Sequence, residues 1–283
     1  MGAVFYSAPM TLYGAMDQAA LDAAYNNSAA VADSARWITD WERRSAALRQ
    51  AMPAHLDLRY GPAERECIDF FAASEHGGPT LAFIHGGYWQ SRTKETFSVV
   101  AEGPLSRGIN VATIGYTLAP AARVDQIVAQ CRRGVQFLHA RLAELGGDPR
   151  RLHLSGRSAG GHLTAMLVGE PMIAGALAIS GIYDLEPIRL SYLNEKLGLD
   201  IEEARRNSPL LHLPSDARHL IVTVGEDELP ELRRQSASYA AAWQAQGLPG
   251  EFLPLAGRHH YSMIEELVRP NGAVTEALVR LVA

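Results

Sequence analysis

From about residue 55 onward, short apolar runs alternate with longer stretches in which apolar residues recur every three to four positions. The short runs predict strands at His55–Tyr60, Glu66–Phe70, Thr80–His85, Asn110–Gly115, Arg151–Ser155, Ala176–Ser180, His219–Val224 and Glu251–Leu255. Several are nearly continuous in their apolar character, such as Leu81-Ala82-Phe83-Ile84 and Ile221-Val222-Thr223-Val224. Strands of a parallel sheet read this way, because helices cover both faces and neither meets water.

The longer stretches predict helices. Val124–Leu145 places Ile127, Val128, Cys131, Val135 and Leu138 on one stripe, with Arg132 and Arg133 on the other side. Gly146-Gly147-Asp148-Pro149 then ends the helix. Gly160–Val168 and Pro230–Gln246 are two more, the second opened by acidic residues and closed by Gly247. This alternation predicts an α/β fold: a mostly parallel, doubly wound sheet of about eight strands with helices on both faces.

Two segments fall outside the rhythm. Asp17–Met52 is helical by pattern, with breaks around Asn26-Asn27 and near Asp33. Tyr183–Pro214 is longer than a simple connection between strands requires. Insertions at the carboxyl ends of strands lie over the ligand crevice in such sheets, so both segments are expected to roof the active site. Without an internal repeat or low-complexity linker, residues 1–283 read as one domain. It carries a helical N-terminal extension over 1–52 and a cap-like insertion over 183–214.

Composition narrows the setting. The chain is 47% hydrophobic and 20% charged, the ordinary balance of a soluble globular protein. A formal net charge of −5 gives no reason to expect nucleic acid or an anionic membrane as partner. A small molecule is the expected ligand, and a homodimer stays open. Cys67 and Cys131 are too few and too far apart for a metal site or a disulfide framework. Met1–Met16 has neither the basic start nor the unbroken apolar stretch of a secretory signal, and no run approaches a membrane span. A cytoplasmic protein is expected.

The chemistry-bearing stretch is Leu152-His153-Leu154-Ser155-Gly156-Arg157-Ser158-Ala159-Gly160-Gly161-His162. A G-x-S-x-G pattern between a strand and a helix predicts a nucleophile elbow, with Ser158 on a turn too tight for any side chain at Gly156 or Gly160. The helix that follows aims uncommitted N–H groups toward negative charge developing beside the serine. An ordinary small-residue turn is the alternative, and it loses ground because the rest of a hydrolytic constellation follows. His85-Gly86-Gly87-Tyr88-Trp89, after the third strand, offers the Gly86 and Gly87 N–H groups as oxyanion donors, joined by Ala159 N–H. His85 is expected to brace that loop. An acid is expected in Gly225-Glu226-Asp227-Glu228, where any one carboxylate could instead cap the helix after Pro230. The base is expected in Arg258-His259-His260-Tyr261, and periodicity does not say which histidine it is. A metal is not expected, since no second cluster with ligand spacing accompanies the histidine pair. His139, His153, His162 and His212 read as structural. Trp37 and Trp41, at helical spacing, read first as core packing.

With these residues assembled, the chain resembles the arylformamidase (kynurenine formamidase) branch of the α/β-hydrolase fold. The likeness runs from Leu21-Asp22-Ala23-Ala24-Tyr25-Asn26-Asn27 to the His260 loop. It rests on the two glycine motifs, Ser180-Gly181-Ile182-Tyr183-Asp184-Leu185, and Pro230-Glu231 leading to Arg234-Gln235-Ser236. The resemblance implies a serine hydrolase needing no cofactor and acting on N-formyl-L-kynurenine to give formate and kynurenine. Family members carry the acid two residues before the Pro-Glu pair, which falls on Glu228. Many relatives have aspartate there, so Asp227 remains a rival. The family histidine precedes an aromatic residue, which selects His260. The catalytic set implied is Ser158, Glu228 and His260, and Tyr88, Trp89 and Tyr183 would form an aromatic wall for substrate. The alternatives are a small-molecule carboxylesterase or amidase of the same fold, or a non-catalytic binder on a hydrolase scaffold. Such binders usually lose the serine, the histidine or the glycine loop, and all three are present here.

Overall fold

The structure, a computed structural model, describes residues 11–52, 54–73 and 76–283. Residues 1–10, which hold most of the segment judged against a secretory signal, lie outside the described residues. Eight strands form one sheet: β1 (Ala54–Arg59), β2 (Cys67–Phe71), β3 (Gly78–Ile84), β4 (Asn110–Ile114), β5 (Gly147–Arg157), β6 (Gly175–Ile179), β7 (Leu220–Gly225) and β8 (Gly250–Leu255). Their order is β1-β2-β4-β3-β5-β6-β7-β8. Strand β2 runs antiparallel to both β1 and β4, and every later pairing is parallel.

The period of two along each central strand divides the molecule into two cores. Ala82, Ile84, Ala112, Ile114, Leu152 and Leu154 point to one face, where they meet Ile127, Cys131, Val135 and Leu138 of the helix Val124–Arg141. Leu81, Phe83, Val111, Leu177 and Ile179 point to the other, against Trp41 and Leu48 of the helix Ser34–Ala51 and Ala277 and Leu278 near the C-terminus. Edge strand β8 alternates exposed and half-buried positions, as expected where one side lacks a neighbour.

The N-terminal segment breaks where its sequence does. Asp17 caps the helix Gln18–Ala24 by accepting from Ala20 N–H at 2.9 Å. Asn26 caps the short helix Asn27–Ala30 by accepting from Ala29 N–H at 3.1 Å. An Asn or Asp carbonyl satisfies N–H groups that a helix start leaves orphaned, which is why chain direction changes there. Between β6 and β7, residues 183–214 fold into the short helices Glu186–Leu190, Asn194–Leu197 and Ile201–Arg206 and a 3-10 turn, Pro209–Leu211. No described helix is long and apolar enough to cross a membrane.

Candidate active site

Strand β5 ends at Arg157 and the helix Ala159–Leu167 starts two residues later, leaving Ser158 alone on the turn. Ser158 has φ 58° and ψ −118°, a conformation that costs a non-glycine residue roughly 1–3 kcal/mol. It is pinned there by Ser158 N–H donating to Ile179 O at 2.8 Å. A Cβ on Gly160 would overlap the Ile84 carbonyl, and one on Gly156 would overlap the Gly160 carbonyl and sit 2.7 Å from Ile84 O. Both glycines are therefore required by the close crossing of elbow and β3. Among the described residues, six other than glycine have positive φ. Five of these six, Tyr88, Trp89, Arg92, Ser158 and Ser180, lie in the loops at the carboxyl ends of β3, β5 and β6.

The loop after β3 lies on the elbow. A Cβ on Gly86 would be 2.6 Å from Arg157 O and 3.1 Å from Ser158 Cβ, so only glycine allows this approach. Gly87, at φ +117°, could carry a side chain only with strain. Neither glycine's N–H donates to another described residue, which leaves both available beside Ser158. His85 braces the loop from beneath: its ring stacks at 4.3 Å on Tyr116, and Nδ1 is 2.8 Å from Gly86 O.

On the far side of the elbow, His260 Nδ1 is 2.6 Å from Glu228 Oε2. The other carboxylate oxygen, Oε1, accepts from Ser180 Oγ at 2.5 Å and from Gly225 N–H at 2.9 Å. Burial opposes charge on Glu228, but His260, Ser180 and the Gly225 N–H together hold its carboxyl below the ordinary value. Asp227 is exposed, and Glu226 beside it is exposed as well. The structure thus brings Glu228 to His260 and leaves both neighbours in solvent. His259 turns the other way and meets the edge of Trp37 at 5.5 Å. Burial, reinforced by the charge of Arg157 and opposed by Glu228, lowers His260 to about 4, which keeps its imidazole neutral and able to accept a proton at pH 7.

Arg157, the residue between Gly156 and Ser158, is almost wholly buried. Its Nε and Nη2 both donate to His260 O, at 3.0 and 2.5 Å. Its guanidinium lies 5.5 Å from the Trp41 ring centroid and 5.1 Å from that of Tyr261. Burial lowers its pKa to about 10, which still leaves it charged at neutral pH.

Ser158 and His260 share a cleft lined by Asn27, Tyr88, Arg92, Phe97, Arg157 and Tyr261. Larger hollows of about 280 and 440 Å³ lie beside β8 and beside β1, but neither is lined by a serine or a histidine. Of the three aromatics expected to wall the cleft, only Tyr88 lines it. Trp89 is fully buried, and its indole N–H points to His162 Nδ1 at 3.3 Å. Tyr183 is buried in a stack on Tyr239, with ring centroids 4.3 Å apart. Both serve packing; Phe97 and Tyr261 stand in the wall instead. The N-terminal segment does reach the cleft. Asn27 Nδ2 donates to Tyr88 OH at 2.8 Å, Tyr88 OH donates to Tyr25 O at 2.6 Å, and Ser28 Oγ lies 3.0 Å from Tyr261 OH. None of residues 183–214 lines it. That insertion instead buttresses the roof, through Gln18 Nε2 to Leu190 O at 3.0 Å and Gln90 Nε2 to Leu193 O at 2.9 Å. Among the described residues, no group of three or more His, Cys, Asp and Glu side chains is placed to hold a metal ion.

His153, His162 and His212 each bond a backbone carbonyl, at 3.0, 2.7 and 2.9 Å. Burial holds His85 and His162, like His260, at about 4 against 6.5 for an unburied imidazole. The unfolded chain therefore binds more protons than the folded one across that interval. The stability this gives is complete above pH 6.5 and is lost as pH falls through about 4, at up to about 1.4 kcal/mol per pH unit for each group. Thermal melts followed by circular dichroism are expected to show Tm level near neutrality and falling between these limits. A Tm unchanged across the interval would exclude the effect.

Comparison with known proteins agrees with this geometry. The BD-FAE family matches residues 68–171. Kynurenine formamidase of Danio rerio is 35% identical over 242 residues, spanning 80% of this chain and 81% of the relative. A crystal structure from Silicibacter sp. TM1040, provisionally assigned as a thioesterase, superposes with a TM-score of 0.82. It is 28% identical and covers 90% of this chain and 97% of its own. An esterase of Pyrobaculum calidifontis shares the fold at a TM-score of 0.70 and 18% identity, over 86% of this chain and 91% of its own. An elbow serine, a glycine loop against it and a buried histidine on a carboxylate, all on this sheet, define a serine hydrolase of the α/β-hydrolase fold. Its likeness to the fish enzyme extends well beyond the elbow, across four fifths of the chain. The chain belongs to the kynurenine formamidase family.

Proposed function

We propose that the protein hydrolyses N-formyl-L-kynurenine, releasing formate and kynurenine through a formyl-enzyme on Ser158. His260 Nε2 removes the Ser158 proton as Oγ attacks the formyl carbon. The carbonyl oxygen takes the negative charge and settles among the N–H groups of Gly86, Gly87 and Ala159. His260, now protonated and steadied by Glu228, gives its proton to the departing aryl amine as the C–N bond breaks. Water, deprotonated by the same imidazole, then attacks the formyl ester and frees Ser158. The observation that carries this is the buried 2.6 Å contact between His260 Nδ1 and Glu228, with the imidazole lining the same cleft as Ser158. An aromatic lining of Phe97, Tyr88 and Tyr261 suits an aryl group. Family membership supports the choice of a formamide.

A carboxylesterase of the same mechanism is the second reading, favoured by the esterase and thioesterase assignments among proteins of like fold. Turnover of N-formyl-L-kynurenine beside a short-chain aryl ester separates them. The formamidase reading expects kcat/KM for the formamide of roughly 10⁴ M⁻¹s⁻¹ or more. Ester turnover with a negligible formamide rate would keep the mechanism and discard the substrate.

A further inference from the structure

The cleft holds two guanidinium groups and no carboxylate. Arg92 and Arg157 both line it, and no aspartate or glutamate does, although the chain as a whole carries a net charge of −5. Two thirds of this protein's arginines sit within 4.0 Å of a carboxylate; among the described residues Arg92 and Arg157 belong to the third that do not. Arg157 has five N–H donors, of which two go to His260 O and three remain. The Arg92 side chain makes no hydrogen bond to any described residue, and its backbone is held at φ 74° while Arg65 Nη2 donates to its carbonyl at 2.5 Å. A strained residue clamped through its main chain, with its charge left unpaired at the cleft, is built for an anion that arrives from outside. A third polar group of the cleft is also left without a partner, here an acceptor. Asn27 is buried, its Nδ2 is held by Tyr88 OH, and its Oδ1 has no partner. That oxygen is left to accept from an N–H or O–H of water or of a ligand.

We propose that Arg92 and Arg157 form a carboxylate-binding subsite beside Ser158, so that the enzyme selects acyl compounds bearing a free carboxylate over their neutral counterparts. The proposal deepens the formamidase reading, since N-formyl-L-kynurenine carries such a carboxylate, but its evidence lies in the cleft's own charge. Arg157 is partly structural through its hold on His260 O, whereas Arg92 has no such duty and reads the anion. Asn27 Oδ1 would accept from the substrate's nitrogen.

The test compares kcat/KM for two matched pairs: N-formyl-L-kynurenine against its α-carboxamide, and para-acetoxyphenylacetate against its carboxamide. One charge-assisted contact of ordinary strength corresponds to a preference for the carboxylate of about ten- to a hundred-fold. That ratio is expected in the wild-type protein, is expected to shrink as ionic strength rises, and to collapse toward one in Arg92→Gln. Arg92→Lys, which keeps the charge without the planar fork, should retain part of it. A wild-type ratio near one in both pairs, or an Arg92→Gln ratio equal to wild type, overturns the subsite. If the formamides are not turned over while the acetate pair keeps its preference, the subsite stands and the formamidase reading falls. If Arg92→Gln fails to fold, the wild-type ratios and their salt dependence decide alone.

Discussion

Replacing Ser158 by alanine is expected to lower kcat by about 10⁴- to 10⁶-fold, the range seen when a nucleophile is removed from a hydrogen-bonded hydrolytic unit. No other hydroxyl stands ready to take over. Ser28 Oγ is engaged with Tyr261 OH at 3.0 Å, and Ser91 Oγ donates to Gly87 O at 3.0 Å. The fold should survive the change, because Ser158 is held through its backbone N–H, and alanine keeps that bond. Residual turnover would come from the Gly86, Gly87 and Ala159 donors polarising the carbonyl for direct attack by water. Steady-state kinetics with a Tm check the point together. A Ser158→Ala protein that folds and keeps a tenth of wild-type activity would exclude the serine as nucleophile.

The second large effect separates two neighbouring carboxylates. Glu228→Gln is expected to reduce kcat by roughly 10³- to 10⁴-fold while preserving the fold. A glutamine amide can still accept from Ser180 Oγ and Gly225 N–H. It no longer supplies a charge to stabilise the protonated imidazole, nor a fixed acceptor for His260 Nδ1–H. Asp227→Asn should leave kcat within about two-fold, as for most surface changes. Asp227 is exposed, and its backbone N–H, which asparagine keeps, donates to Arg258 O at 3.0 Å. Side-by-side kinetics of the two variants check this; collapse of the Asp227 variant alone would reverse the assignment.

These two cases also show what can be read in the chain before it folds. The acidic cluster after β7 was legible as a location, since an acid must stand near the histidine loop. Which carboxylate turns inward depends on a turn in which Gly225 O accepts from Glu228 N–H at 3.2 Å, and no propensity encodes that. The central strands were legible because burial on both faces leaves an apolar run. Strand β5 nonetheless begins at Gly147, four residues before the expected start at Arg151, because Gly147 pairs with Gly78 across a register shift. The pattern of apolar positions predicts no element over Glu95–Ser106 or Ser262–Val282, yet both segments hold helices. Phe97, Val99, Val100 and Ala101 form a 3-10 turn, whose period matches neither a strand nor an α-helix. Met263, Ile264, Leu267 and Val268 did carry helical spacing, over a length too short to stand out.

The cleft was the least legible part. Trp89 and Tyr183 follow motifs that reach the site, but a side chain next to a site residue points away as often as toward it. Trp89 continues the loop at φ 58° and turns its ring into the core. Arg157 occupies the variable position of the elbow, where pattern assigns no role. Asn27 was visible as a helix break, and its second function, reaching Tyr88 from 61 positions away, exists only once the N-terminal helices have docked.

The central claim, that Ser158 is a nucleophile activated by His260, is tested most directly with a fluorophosphonate probe and intact-mass analysis of the wild-type protein. The account predicts one adduct per chain, mapped to Ser158, lost in Ser158→Ala and formed far more slowly in Glu228→Gln. No adduct at high probe concentration, or an adduct on another residue that persists in Ser158→Ala, would contradict it.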